Sequence, residues 1–224
     1  MTSDVSVKDL FSESFRARHR SQWATLNTVY GKLRRRIFPL PHPKLEGGKV
    51  YLHLGAGRIN HSSFVNIDAL PAPHIHYLRP IDDLSMFKDS SVDLIYACHC
   101  LEHFSHLKIL EVLAEWHRVL DHGGILRLSV PDFDLLLEIY RETGDDLDSI
   151  LEVLMGAQDY KYNFHMTAFN KKSLAALLTS TGFRQTQEWH PGSSDLTTLN
   201  DYSDYKLQIN GKSYPISLNL EAVK

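Results

Sequence analysis

The chain has 224 residues, 43% apolar and 23% charged, a composition that excludes a disordered or collagen-like polymer and allows one domain with a sizeable core. No stretch approaches the ~18 uncharged apolar residues of a membrane span, and the first thirty residues, with Asp4, Lys8, Asp9 and Glu13, lack the apolar core of a secretory signal. The net charge of −3 conceals an imbalance: residues 1–50 hold ten Lys/Arg against four acids, and the rest hold fourteen against twenty-three.

The basic head reads as helix, because Leu10, Phe11, Phe15, Trp23, Leu26, Val29, Tyr30 and Leu33 recur at three- and four-residue spacing. Pro39, Pro41, Pro43, Gly47 and Gly48 stop it and mark a linker. The expected division is a basic helical extension with a Pro-rich linker over residues 1–46 and a second domain over residues 47–224. From Val50 the texture changes to short apolar runs, "KVYLHLGAG", "FVNIDAL", "SVDLIYACHC" and "GGILRLSVPD". Between the last two, Leu107, Leu110, Leu113, Trp116 and Leu120 fall on one helical face, closed by Gly123 and Gly124. Strand runs alternating with helix patterns give an α/β chain with a mostly parallel sheet.

Helices are expected at Phe133–Glu142 and Leu147–Met155, followed by the aromatic segment "DYKYNFHMTAF". Asn170 caps a further helix through Leu178, and a strand follows around Phe183–Trp189. Asn210-Gly211 between apolar runs signals a hairpin. The two cysteines, Cys98 and Cys100, lie too close together to staple a fold, so a reducing, cytoplasmic setting is expected.

Ligands of open α/β sheets bind beyond the carboxyl ends of the strands. The first strand ends in Gly55-Ala56-Gly57, where the backbone can turn tightly and a ligand can approach it. The second ends at Asp68, placed for the hydroxyls of a ribose. The third glycine of a dinucleotide fingerprint is missing, and no phosphate-binding P-loop string occurs. The pocket therefore suits a nucleoside without phosphates.

Taken in order, "VYLHLGAG", "NIDAL", "IDDLSMFKDSSVDLIYACHCLEHF", "EWHRVLDHGGILRLSVPDF" and "LLTSTGFRQTQEW" resemble the successive motifs of class I S-adenosylmethionine-dependent methyltransferases. More narrowly they are similar to a small bacterial branch often encoded among polysaccharide genes. The resemblance implies a doubly wound, mostly parallel seven-stranded sheet, Rossmann-like, with an antiparallel last strand. It implies S-adenosyl-L-methionine as cofactor, with Gly55, Ala56 and Gly57 along its methionine and ribose portion and Asp68 on the ribose. Asp82, with Asp83 or Leu84, would meet the adenine, and Cys98 and His99 would face the methyl-bearing sulfur. Only eleven positions separate Gly57 from Asp68, so the first helix is expected to shrink to about a turn.

Methyl transfer needs alignment of donor and acceptor and, for a hydroxyl acceptor, removal of its proton. The string "CHCLEHF" sets His99, Glu102 and His103 at a strand end opening into a helix, where all three could enter the site. Ubiquinone-pathway and small-RNA 2′-O-methyltransferases carry a similar E-x-x-E-H string that binds a divalent ion; here it reads H-x-x-E-H. Three roles stand open: bracing of the turn, acid/base work, and a metal held by Glu102 and His103. A zinc site from Cys98, Cys100, His103 and His106 is disfavoured, since no C-x-x-C spacing supports it. His165, in a segment near 143–170 expected to overhang the site, is the best remote base or fourth ligand. Tyr160, Tyr162 and Phe164 beside it, with Trp189, offer faces for a substrate ring.

No [ND]-P-P-[FYW] string follows the fourth strand, which disfavours amino-group methylation of nucleic acid bases. The expected reaction is O-methylation of a small molecule or glycan acceptor. Against it stands a methyltransferase-like scaffold without turnover, or an adaptor working through the basic head. That head offers an anionic membrane surface or a glycosyltransferase as partner, with nucleic acid disfavoured, and implies a cytoplasmic protein peripheral to the membrane.

Overall fold

The computed structural model describes residues 20–193, 196 and 199–224; Leu10, Phe11 and Phe15 lie outside the described residues. Helix α1 (Arg20–Ile37) leads through the proline linker into β1 (Tyr51–Leu54), β2 (Val65–Asp68), β3 (Tyr77–Leu78) and β4 (Val92–Cys98). Helix α2 (Ile109–Val119) runs directly into β5 (Leu120–Pro131), followed by α3 (Phe133–Glu142), α4 (Asp148–Met155), α5 (Lys171–Ser180) and β6 (Arg184–Glu188). The tail forms β7 (Lys206–Ile209), β8 (Lys212–Pro215) and β9 (Ser217–Val223).

Seven strands form one sheet in the order β3-β2-β1-β4-β5-β9-β6, and β7 and β8 pair separately. Strands β1 to β5 are parallel, and β9 is antiparallel to both of its neighbours. The expected sheet, with its antiparallel last strand, is present. In the hairpin Ile209 pairs with Lys212, and Asn210 and Gly211 both take positive φ, the geometry that makes Asn-Gly a two-residue turn. The chain walks outward from β1 to β3 and then crosses back to β4, so the strand order reverses between β1 and β4.

Alternation along β4 separates two cores. Ile95 and Ala97 point to a large apolar core with Val112, Leu113 and Trp116 of α2 and Leu174 and Leu178 of α5. Leu94 and Tyr96 point to a second layer with Phe64, Trp189 and Leu199. Trp189 is 3% exposed and donates to the Leu128 carbonyl at 2.9 Å, so it fills this layer and is not a face for substrate.

Two local expectations are corrected. The buried face of α2 is Ile109, Val112, Leu113, Trp116 and Val119, while Leu107 and Leu110 are exposed. The helix begins at Ile109 and ends where Leu120 opens β5, so the stripe turns by a residue and Gly123 and Gly124 fall inside a strand. Between β1 and β2 no helical turn survives; residues 55–64 are turns and irregular chain.

Helix α1 lies against the β3 edge. A side chain at Gly31 would collide with Leu78 and Pro71, so glycine is what allows the close approach. Arg35 reaches the carbonyls of Ile75 and Pro73. The inward positions are thus small or polar, and the apolar stripe of Leu26, Val29, Tyr30, Leu33 and Ile37 faces solvent, each residue more than half exposed.

His53 on β1 is 2% exposed, packs edge-on to Tyr96 at 5.3 Å between ring centroids, and leaves Nδ1 without a hydrogen-bond partner. Burial pushes its pKa down to about 4. The unfolded imidazole takes its proton near 6.5, so the unfolded chain binds the extra proton between those values and stability falls as pH falls through that window. Urea unfolding at pH 7 and pH 5 should show that His53→Gln loses less stability than the parent, by about 2 kcal/mol. Equal losses would assign the acid sensitivity elsewhere.

Candidate active site

A cavity of about 770 Å³ opens where the strand order reverses, at the carboxyl ends of β1 and β4. That volume lies within the range of small-molecule sites, ~300–1,000 Å³. Gly55, Ala56, Gly57, Arg58 and Ile59 line one side, with Cys98 and His99 beside them. The opposite wall is His103, His165, Tyr160, Asn163 and the α4 residues Asp148, Ser149 and Glu152. Asn200, Asp201 and Tyr202 of the tail complete it.

Gly55 has φ +66° and donates its N–H to the Ile67 carbonyl at 2.9 Å. A Cβ there would overlap Cys100 Sγ. The thiol of Cys100, buried beneath the loop, donates to the carbonyls of Leu54 and Cys98 at 3.4 and 3.1 Å. Burial raises the pKa of both cysteine thiols, so Cys100 is a neutral support for the glycine loop. Asp68 Oδ2 accepts from Gly57 N at 2.8 Å and Oδ1 from Leu70 N at 2.7 Å. The carboxylate folds the loop, and each oxygen keeps a second lone pair.

The expected adenine segment is less involved in this cavity. Asp68, Asp82, Asp83 and Leu84 do not line it. Leu84 is fully buried in the core, its amide donating to Glu115 Oε1 at 2.9 Å. Asp83 turns outward to Arg79, 2.6 Å away.

His99, Glu102, His103 and His165 do come together. His99 sits at the end of β4 with φ +49°, and its N–H donates to the Ser129 carbonyl at 2.8 Å. Glu102 follows in a short 3₁₀ turn, Leu101–His103, and is 1% exposed. Its carbonyl accepts from Met166 N at 2.8 Å and Thr167 N at 3.2 Å. This strap brings His165 over the turn, its ring 4.9 Å from that of His103. Glu102 Oε1 lies 3.5 Å from His99 Nδ1 and 3.9 Å from His165 Nε2, and neither carboxylate oxygen has a hydrogen-bond partner.

Burial governs the charge states. It pushes Glu102 up to about 8 and the histidines down, His99 to about 3 and His165 to about 4, with His103 also lowered. The imidazoles are therefore neutral bases near pH 7. His106, Cys98 and Cys100 take no part in the grouped donors of Glu102, His103 and His165.

The sequence reading missed the tail residues. His99 Nε2 meets Ser217 Oγ at 2.8 Å, and Ser217 donates to the Tyr202 carbonyl at 2.7 Å. Asp201 accepts from Tyr96 OH at 2.6 Å and from Ser203 N at 2.9 Å. The string "NDYSDY" carries turn signals, and only the antiparallel return of β9 brings it beside β4. Of the alternating aromatics, Tyr160 lines the cavity, while Tyr162 and Phe164 lie 40% and 41% exposed.

Residues 67–128 match the family model described as a methyltransferase domain. An S-adenosylmethionine-dependent methyltransferase from Archaeoglobus fulgidus has a similar fold, at 14% identity and TM-score 0.50, over 95% of this chain and 100% of that one. Another, from Methanosarcina mazei, is 18% identical at TM-score 0.50, over 81% of this chain and 94% of that one. No protein of curated function matches the sequence.

The residues at the switch point fit S-adenosylmethionine, the cofactor that the motif resemblance implies. The Gly55–Gly57 turn leaves its backbone open to the cavity, and Asp68 retains acceptor capacity at the loop's base. Gly55→Ala should weaken S-adenosylmethionine binding by at least ~10-fold in calorimetry, since clash and positive φ together cost more than ~1.4 kcal/mol. Unchanged affinity would remove the loop from the cofactor site. A methyltransferase-domain match over residues 67–128 and this sheet order, with the glycine turn at its switch point, give the chain the Rossmann-like fold of class I S-adenosylmethionine-dependent methyltransferases.

Proposed function

We propose that the chain methylates a hydroxyl oxygen on a small polar acceptor, a sugar or glycan intermediate. The observation that carries this reading is the convergence of three neutral imidazoles, His99, His103 and His165, on a cavity whose lining includes the polar Asp148, Ser149, Glu152, Asn163 and Asn200 beside the apolar Val153, Leu207 and Ile216. Such a lining hydrogen-bonds hydroxyls, and a neutral imidazole takes the proton a hydroxyl must lose. The sugar part rests on the resemblance of the motifs to a branch encoded among polysaccharide genes.

When bound, S-adenosylmethionine supplies a methyl group that passes to the acceptor oxygen as its carbon–sulfur bond breaks. His99 takes the hydroxyl proton. Ser217 donates its own proton to the Tyr202 carbonyl, so it accepts from His99 Nε2–H and leaves Nδ1 as the basic nitrogen. The test is transfer of a labelled methyl group to a panel of sugars, nucleotide sugars and extracted glycans. The expected product is a methyl ether; His99→Ala should cut kcat by ~10²–10⁴ while cofactor affinity stays within about threefold. An N-methyl product, or cofactor binding without turnover on any acceptor, would overturn the reading.

A second observation concerns where the chain works. We propose that α1 holds it, in the cytoplasm, on an anionic membrane surface. The outward stripe of Leu26, Val29, Tyr30, Leu33 and Ile37 is continued by Phe38, 68% exposed. Helical spacing puts Arg34 and Arg36 on opposite flanks of the stripe, the arrangement of a helix lying in a lipid interface. No helix of the described residues is long and apolar enough to cross a membrane. The full chain should sediment with vesicles containing phosphatidylglycerol and not with phosphatidylcholine alone, and Leu33→Asp should lower the partition constant at least ~10-fold. Equal partition by the variant, or none by the parent, would sink the idea.

A further inference from the structure

Glu102 presents a problem in charge and hydrogen bonding. Its carboxylate is 1% exposed, and neither oxygen has a hydrogen-bond partner, whereas buried carboxylates are normally paired, hydrogen-bonded or on a metal. The titratable side chains around it are imidazoles and the neutral thiols of Cys98 and Cys100, and the imidazole protons are already committed elsewhere. His165 Nδ1 stands 2.9 Å from the Val153 carbonyl and His103 Nδ1 stands 3.2 Å from the Phe164 carbonyl. A carbonyl only accepts, so both rings carry their proton on Nδ1 and have their lone pair on Nε2. His99 is fixed the opposite way round, with Nε2–H on Ser217 and Nδ1 facing Glu102 Oε1 at 3.5 Å.

Lone pairs thus face lone pairs. A proton on Glu102 would satisfy one of these contacts and leave the others unmade. A cation satisfies several at once. One donor atom each from Glu102, His103 and His165 lies within 4.8 Å of the other two, close enough to contract onto a common ion at ~2.0–2.2 Å bonds by small side-chain rotations. The Nδ1–carbonyl bonds of both histidines are the outer hydrogen bonds that metal-ligating imidazoles usually make, fixing tautomer and ring orientation.

We propose that Glu102, His103 and His165 form a binding site for a divalent transition-metal ion, with an open coordination position toward the cavity. Two nitrogens and one carboxylate favour a borderline ion such as Zn²⁺ over Mg²⁺, which prefers an all-oxygen shell. Both histidines line the cavity while Glu102 lies behind them, so the fourth position is the one a substrate oxygen can reach. Resting on the hydroxyl reading above, the ion would lower the pKa of the acceptor hydroxyl, with His99 outside the three-residue set.

The full chain, stripped with a chelator and dialysed against Zn²⁺ alone, tests the site without cofactor or acceptor. One Zn²⁺ per chain is expected, with Mg²⁺ failing to displace it and Co²⁺ giving visible absorption from the same site. Glu102→Gln, isosteric and unable to neutralise the ion, should weaken Zn²⁺ at least ~100-fold, and so should His165→Ala. Circular dichroism and retained S-adenosylmethionine binding establish that each variant is folded. Absence of Zn²⁺ and Co²⁺ binding in the parent, or binding unchanged in folded Glu102→Gln, overturns the site. Stoichiometric Zn²⁺ with no acceptor methylated on oxygen supports the site and overturns the hydroxyl reading alone.

Discussion

The site depends on Glu102 more than on any other residue. Its backbone carbonyl straps the 164–167 segment over the end of β4, and its side chain is the point toward which His99 and His165 turn. Remove the strap and the cavity loses the wall that carries His165. Replace the carboxyl with an apolar group and His99 and His165 lose the acidic oxygen they face. A polar group left without partners in a protein interior costs on the order of 1–3 kcal/mol, more if charged. The surrounding fold supplies that stability from elsewhere, chiefly the Trp116-centred core beneath the same sheet.

Much of the fold could be read from the sequence because it was written in local chemistry. Asn170 caps α5 through a reciprocal bond with Ser173, and Asn210-Gly211 turns the hairpin; both signals act within a few residues. The apolar runs at Leu52–Leu54, Val65–Ile67 and Leu94–Ala97 became the buried centre of the sheet. The α2 face was misread by a residue because its last turn feeds straight into β5, with no loop to separate the two periodicities. Glycines at 123 and 124 carried the chemistry of a helix stop into a strand.

The site was legible in part. Gly55, His99, Glu102, His103 and His165 were marked by residue type and position, and the cavity gathers them or their neighbours. Ser217, Tyr202 and Asp201 were not, because nothing within twenty residues of them hints at β4. They arrive through the antiparallel β9, a long-range pairing whose register sequence alone does not encode. Asp83 and Leu84, which family position offers as an adenine contact, lie off this cavity, one paired with Arg79 and the other packed in the core.

The two rims of the sheet are protected by different means. At one rim β6 carries Arg184, Gln185, Gln187 and Glu188, mostly exposed, and charged side chains discourage another chain from adding a strand there. At the other, β3 is two residues long, and α1 lies along it with Arg35 occupying the neighbouring carbonyls. The same helix that offers a greasy stripe outward therefore also blocks strand addition inward. Trimming the chain to its sheet domain would uncover that rim, and the shortened protein would be prone to self-association through backbone pairing.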